Sequence, residues 1–284
     1  MTTIEAVLPL TRTQRGIYVV ALSDPQSYVA QWVVEVRAGW SLQHVAAAWL
    51  DVQRHHAALR SRLGSFRAVP VLVVPSGPGP SPSTFDVSAA PGDGRREASR
   101  ICTDELDRGV HLESDPLIRL TVIQIEVGCL WFCLTHHHLG LDGVGVRTTL
   151  DDLVRRCRNQ GLRPAAALEE VLGTWLEDDA AVGALEEEAV SQLCVGERLS
   201  SFAAEQPTRT PRMRSFEVDT RSLEATAVAS TTSPAVVVIA AWACALRAVR
   251  PSDATPIPVT VDRRGPLVVG HGPTVGMLAD TLLA

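Results

Sequence analysis

From Pro116 to His138 the chain reads PLIRLTVIQIEVGCLWFCLTHHH, two apolar runs of strand length separated at Gly128. Runs rich in β-branched and aromatic residues, joined through a turn residue, specify a β-hairpin. Side chains alternate between the two faces of a strand. The second run therefore sends Leu130, Phe132, Leu134, His136 and His138 to one face, and Cys129, Trp131, Cys133, Thr135 and His137 to the other. His137 points away from its two neighbours, so the three consecutive imidazoles do not form one cluster. Three readings stay open for them. His136 and His138 could share a metal with Asp142, but no further spaced ligand set stands out and a catalytic zinc needs three well-placed ligands, so no metal is expected. One histidine could be a catalytic base. All three could instead be buried, hydrogen-bonded packing residues.

The surrounding sequence mixes helix and strand. SLQHVAAAWLDVQRHHAALRSRLG predicts a helix with Ser41 as N-cap and Gly64 as its C-terminal stop. Its buried stripe is Val45, Trp49, Val52, His56, Leu59 and Leu63. AVPVLVVP reads as a short strand, and PSGPGPSPST, from Pro75 to Thr84, as a surface loop. After Asp142 a helix is predicted through VRTTLDDLVRRCRNQ. Glu169, Glu170, Glu177, Asp178, Asp179 and Glu186 to Glu188 then form an acidic run, which reads as the solvated face of a helical connection. RSFEVD restarts as a strand, TSPAVVVIAAWACALRAVR as a buried helix and TPIPVTVDRR as another strand. The expected organisation is a first lobe over residues 1–163, a connection over 164–211 and a second lobe over 212–284.

With 284 residues, 46% of them hydrophobic, the chain has ample material for one large domain or two lobes. Its net charge of -6 excludes the concentrated basic surface that nucleic-acid binding requires. All 26 basic residues are arginine, which rules out lysine-based chemistry. The six cysteines, Cys102, Cys129, Cys133, Cys157, Cys194 and Cys244, form no CxxC pair, and most sit among apolar residues as small buried hydrophobes do. The opening MTTIEAVLPL lacks the pattern of a secretory signal, and AVVVIAAWACAL is too short to span a bilayer. A reducing, soluble, cytoplasmic setting is expected.

HHLGLDG, from His137 to Gly143, fits an HHxxxDG pattern. In this the chain resembles the condensation-type acyltransferase superfamily, which includes nonribosomal peptide synthetase condensation domains, chloramphenicol acetyltransferase and polyketide-associated acyltransferases. Further segments resemble condensation domains in the same order. PLTRTQRGIYV is similar to an opening LTxxQ motif, RHHAALRSRL to an RHexLRTxF segment, and the hairpin from Asp115 to Gly143 to the one that delivers the family's histidine. TVGMLADTLL, from Thr274 to Leu283, is similar to xxGxFxNTLPLR. The sequence departs from the pattern at Gly145, often serine in the family, at Met277 in place of phenylalanine, and at Asp280 in place of asparagine. The tyrosine- and tryptophan-containing segment expected around Trp175 is weak.

The resemblance implies a mixed α and β chain with chloramphenicol acetyltransferase-like lobes, the first complete and the second partial. A family second lobe continues beyond the match ending at Leu283, so a truncated product, a fragment, or completion by a second chain or copy is expected. The implied activity joins a carrier-bound acyl or aminoacyl thioester to an amine or hydroxyl in nonribosomal peptide or related natural-product biosynthesis. The implied partners are carrier proteins, with their phosphopantetheine arms, and neighbouring synthetase domains; no cofactor is expected on the chain itself. By the resemblance the working histidine is His138, expected to take the nucleophile's proton or to hold the nucleophile in place as charge develops; His137 is expected to pack inward and the Gly143 amide to donate to a developing oxyanion. Asp142 is either a base or the N-cap of the following helix. In the family it is held by arginine, for which Arg60 and Arg263 are the candidates, with Arg264 the near alternative to Arg263. The competing reading is a non-catalytic module that recruits carrier proteins or other synthetase parts.

Overall fold

A computed structural model describes residues 3–89, 93–173, 217, 219–249, 257–264 and 272–283. The first part of the chain forms β1 (Ile4–Pro9), α1 (Arg12–Ser23), β2 (Val29–Arg37), α2 (Leu42–His55), β3 (Arg62–Phe66), β4 (Val69–Pro75) and β5 (Ser83–Asp86). There follow α3 (Gly94–Arg108), β6 (Ile118–Glu126), β7 (Cys129–His137) and α4 (Gly143–Cys157). Beyond these lie α5 (Thr220–Ala229), α6 (Pro234–Val249), β8 (Pro258–Asp262) and β9 (Ala279–Leu283). The chain divides into two compact units, one of residues 1–178 with 260–281 and one of 179–259 with 282–284.

The predicted hairpin is present. β6 and β7 pair antiparallel, with Ile118 opposite His136, and Gly128 turns the chain at a φ of 77°. β2 adds on the far side of β7 and β5 runs parallel beside β6, giving the order β2-β7-β6-β5. A second sheet has the order β1-β4-β3. The alternation on β7 separates two cores. Leu130, Phe132 and Leu134 join Val45, Trp49 and Val52 of α2 and Val146 and Leu153 of α4. Cys129 and Cys133 join Ala98, Ile101 and Cys102 of α3 on the opposite side. With helices on both faces the strand has little place for exposed polar residues, which is why its sequence is almost continuously apolar. Cys102, Cys129, Cys133 and Cys157 are buried and Cys244 is exposed.

The helix expected to run to Gly64 is shorter. Ser41 caps it through a bond accepted from the His44 amide, but it ends at His55, continues as a 3-10 turn over Ala57–Arg60 and enters β3, which contains Gly64. Val45, Trp49, Val52, His56 and Leu59 of its stripe are nevertheless buried, because the 3-10 turn keeps His56 and Leu59 inward, whereas Leu63 is only half-buried on β3. There the buried His56 Nε2 lies 2.8 Å from Asp152 Oδ2, tying the end of α2 to α4. The apolar α6, expected to be buried, keeps Val236, Val238 and Trp242 about half exposed. Among the described residues it packs chiefly on α5, which covers only part of its surface. No single described helix is long and apolar enough to cross a membrane. RSFEVD and the acidic connection lie largely outside the described residues.

Candidate active site

The first unit carries the histidine motif, and its geometry begins with α1. Thr11 and Gln14 cap that helix reciprocally: the Gln14 amide donates to Thr11 Oγ1 and the Thr11 amide to Gln14 Oε1. This leaves the fully buried Gln14 Nε2 to donate to the Leu139 carbonyl at 2.7 Å. The turn after β7 is thus pinned from outside its own hairpin. Gln14 lies within the PLTRTQRGIYV segment, and nothing in that local pattern points to Leu139.

Each histidine then has its own fate. His137 is fully buried and its Nδ1 accepts from the Leu139 amide at 3.1 Å, so the ring proton is on Nε2. His138 has the opposite tautomer. Its Nδ1 lies 2.9 Å from the Leu141 carbonyl, which can only accept, so Nδ1 carries the hydrogen and Nε2 the lone pair. The backbone amide of His138 donates to the Tyr28 carbonyl at 2.9 Å, which holds the turn against the start of β2. The His136 ring packs edge-on against that of His138 at 5.0 Å, as the alternation on β7 requires. Neither ring nitrogen of His136 has a hydrogen-bond partner among the described residues. Among those residues no group of three or more His, Cys, Asp or Glu side chains is placed to hold a metal ion.

Burial, and secondarily the neighbouring histidines, pushes His136 down to about 3; burial and His138 push His137 down to about 4. In the unfolded chain both titrate near 6.5. The unfolded state therefore binds more protons than the folded one below that pH. Their contribution is fully present above pH 6.5 and is lost as the pH falls toward 4. The expected slope is about 2.7 kcal/mol per pH unit, the value for roughly two protons taken up on unfolding. Urea unfolding at a series of pH values across this window measures it, and a stability that is flat there contradicts the buried neutral pair. Glu35, held down to about 2 mainly by Arg95, adds its own loss of stability as the pH falls through its ordinary value of 4.5, so the histidine slope is read above that point.

Asp142 is committed on every side. Its Oδ1 accepts from the Gly145 amide at 2.8 Å, capping α4, and from Arg264 Nη2 at 2.7 Å; its Oδ2 accepts from the Leu278 amide at 2.8 Å. Arg264 is itself 97% buried in its side chain, with further bonds to the carbonyls of Thr274 and Gly276 and to Asp262. The arginine beside Asp142 is therefore Arg264 and not Arg263. Neighbouring residues at the end of β8 project to different sides, and Arg263 lies 3.5 Å from Asp280 instead. Arg60 is also placed elsewhere. Because the helix has ended by His56, the 3-10 turn aims its guanidinium at both oxygens of Glu5 and at the carbonyls of Gln53, Pro75 and Gly77. It ties α2 to β1 and β4, and its guanidinium draws the Glu5 carboxyl below its usual range.

Gly145 has a steric reason to be glycine. A Cβ there would lie 3.0 Å from the Gly276 carbonyl oxygen and 3.0 Å from Leu141. Gly143 is different: a Cβ there would meet nothing within 4 Å. It faces a cavity of about 510 Å³ in the first unit, whose walls include Tyr28, His138, Gly143, Met277 and Asp280. Asp280 accepts from Thr13 Oγ1 at 2.5 Å, fastening β9 to the start of α1 at the cavity edge. Tyr28 has a φ of 65°, a left-handed conformation that costs a side-chain-bearing residue roughly 1–2 kcal/mol. Its ring meets His138 edge-on at 6.5 Å.

Residues 4–170 match the sequence model of the condensation-domain family. The chain is 29% identical over 140 residues to cyclochlorotine synthetase of Talaromyces islandicus, covering 49% of this chain and 2% of that protein. It is 25% identical over 186 residues to bacitracin synthase 3 of Bacillus licheniformis, covering 62% of this chain and 3% of the relative. The chain thus spans only a few per cent of the length of these relatives. Its fold is similar to the first condensation domain of the calcium-dependent antibiotic synthetase in complex with a substrate analogue. That likeness has a TM-score of 0.69 at 20% identity, over 98% of this chain and 68% of the other.

Proposed function

The chain belongs to the condensation-domain family, and from that membership we propose that it joins a carrier-bound acyl or aminoacyl thioester to an amine or hydroxyl nucleophile, in nonribosomal peptide or related natural-product biosynthesis. The observation that carries the proposal is the fixed tautomer of His138 on the wall of a cavity. A neutral imidazole with its lone pair on Nε2 takes a proton from the attacking N–H or O–H as the nucleophile adds to the thioester carbonyl. The tetrahedral oxyanion collapses, the carbon–sulfur bond breaks, and the leaving thiolate takes back the proton from the imidazolium. The ring returns to its starting state. A module that only recruits partners has no use for a base held this way.

The supporting roles follow from position. His137 anchors the strand end, and Asp142 acts through structure because its oxygens already serve Gly145, Leu278 and Arg264. Gly143 opens α4, and its amide is the proposed donor to the oxyanion, aided by the positive end of the helix dipole. The thioester arrives on the phosphopantetheine of a partner carrier protein and is therefore substrate. Neighbouring synthetase domains are the other proposed partners.

Incubation with a carrier-bound acyl thioester and an amine acceptor, followed by intact-mass analysis, is expected to show the acyl group moving from carrier to acceptor. Thioester loss only at the uncatalysed rate contradicts the proposal. Gly143→Leu gives a second check. Its side chain has free space, so the melting temperature should stay within about 4 °C of wild type. Transfer should fall by about tenfold or more as the cavity fills; an unchanged rate contradicts the placement of substrate beside Gly143.

A further inference from the structure

Five side-chain-bearing residues among those described have a left-handed backbone: Tyr28, Arg67, Ala68, Asn159 and Thr231. Arg67 and Ala68 form the tight turn between β3 and β4, and Asn159 and Thr231 follow helix ends, where such a conformation reverses the chain. Tyr28 is different, because it also lines the cavity that holds His138. Two sets of contacts impose its conformation. Before it, Asp24 accepts from the Gln26 amide and the Ser27 hydroxyl, and the Ser27 amide bonds the Asp24 carbonyl, closing a turn. After it, Val29 is already in register with His137 as the first residue of β2. The Tyr28 carbonyl accepts the His138 amide between these two constraints. A glycine would meet the same backbone demands without strain, so the backbone does not call for a tyrosine. The ring is not needed by the core either, since the residue is 43% exposed.

We propose that Tyr28 is a specificity-determining residue, whose ring forms the cavity wall against the substituent next to the reacting carbonyl and limits its size. The proposal rests on the acyl-transfer reading of the same cavity. At 6.5 Å between centroids the Tyr28 and His138 rings meet edge-on, so a substituent one or two bonds from the carbon attacked beside His138 lies against the phenol rather than between the two rings. A small substituent fits between the carbonyl and the ring; a bulky one meets the phenol face.

Non-hydrolysable amide analogues of acyl-pantetheine, carrying acetyl, isobutyryl and phenylacetyl groups, test this with the full chain. Binding is measured by calorimetry, and transfer by kcat/KM with the matching thioesters. Wild type should favour acetyl over phenylacetyl. Tyr28→Gly should fold at least as stably and shrink that preference at least tenfold, while Tyr28→Phe keeps the wild-type ranking. A Tyr28→Gly protein with the wild-type ranking overturns the assignment, as does a wild type that binds all three analogues equally or none of them. Size-selective binding without transfer would contradict the acyl-transfer reading and leave the Tyr28 assignment standing. Transfer with a ranking unchanged in Tyr28→Gly would do the reverse.

Discussion

Asp142→Ala is expected to destabilise the first unit by about 3–5 kcal/mol, the usual cost of removing one partner of a buried ion pair. Three losses coincide at this residue. Arg264 loses the carboxylate 2.7 Å from its Nη2, the buried Leu278 amide loses its acceptor, and α4 loses its cap at Gly145. Asp262 remains 2.8 Å from Arg264 Nη1 and softens the first loss, which puts the expected value toward the lower end of the range. In melting temperature this is a drop of roughly 6–15 °C. A double-mutant cycle with Arg264→Ala should show strong coupling, because the second substitution removes the charge that the first leaves exposed to a dry interior. The corresponding cycle with Arg263→Ala should not. An Asp142→Ala protein that is inactive but melts like wild type would contradict the structural role and point to a direct part in the chemistry.

The hairpin and the division of its second strand into two faces were legible because a period of two is a local property, read off each residue's neighbours. The orientations of His136, His137 and His138 followed from the same alternation. The helix end at His55 was not legible, since the apolar spacing continues through the 3-10 turn to Leu59 and nothing local marks the change of geometry. That error carried Arg60 to the wrong partner. The choice between Arg263 and Arg264 failed for a related reason: adjacent residues differ by a single step of alternation, and the direction depends on how the segment meets α4 from more than a hundred residues away. Gln14 was visible as part of a motif, but its reach to the Leu139 carbonyl is a tertiary contact. The strain at Tyr28 had no sequence signal, because left-handed backbone is ordinarily announced by glycine, asparagine or aspartate.

The central claim is that His138 is the base. Its substitution by alanine removes the proton acceptor and one hydrogen bond to the Leu141 carbonyl, while His137, Gln14 and the Tyr28 carbonyl still hold the turn. The fold should therefore survive with a loss of about 1 kcal/mol, and transfer should fall by about 10²–10⁴-fold, the usual contribution of a positioned acid–base group. The most direct measurement is single-turnover transfer from a carrier-bound thioester to an amine acceptor, with wild type and His138→Ala compared at saturating carrier and matched folded fraction. The account predicts a slowed chemical step in a folded protein that still binds the thioester. Equal single-turnover rates for the two proteins would contradict it.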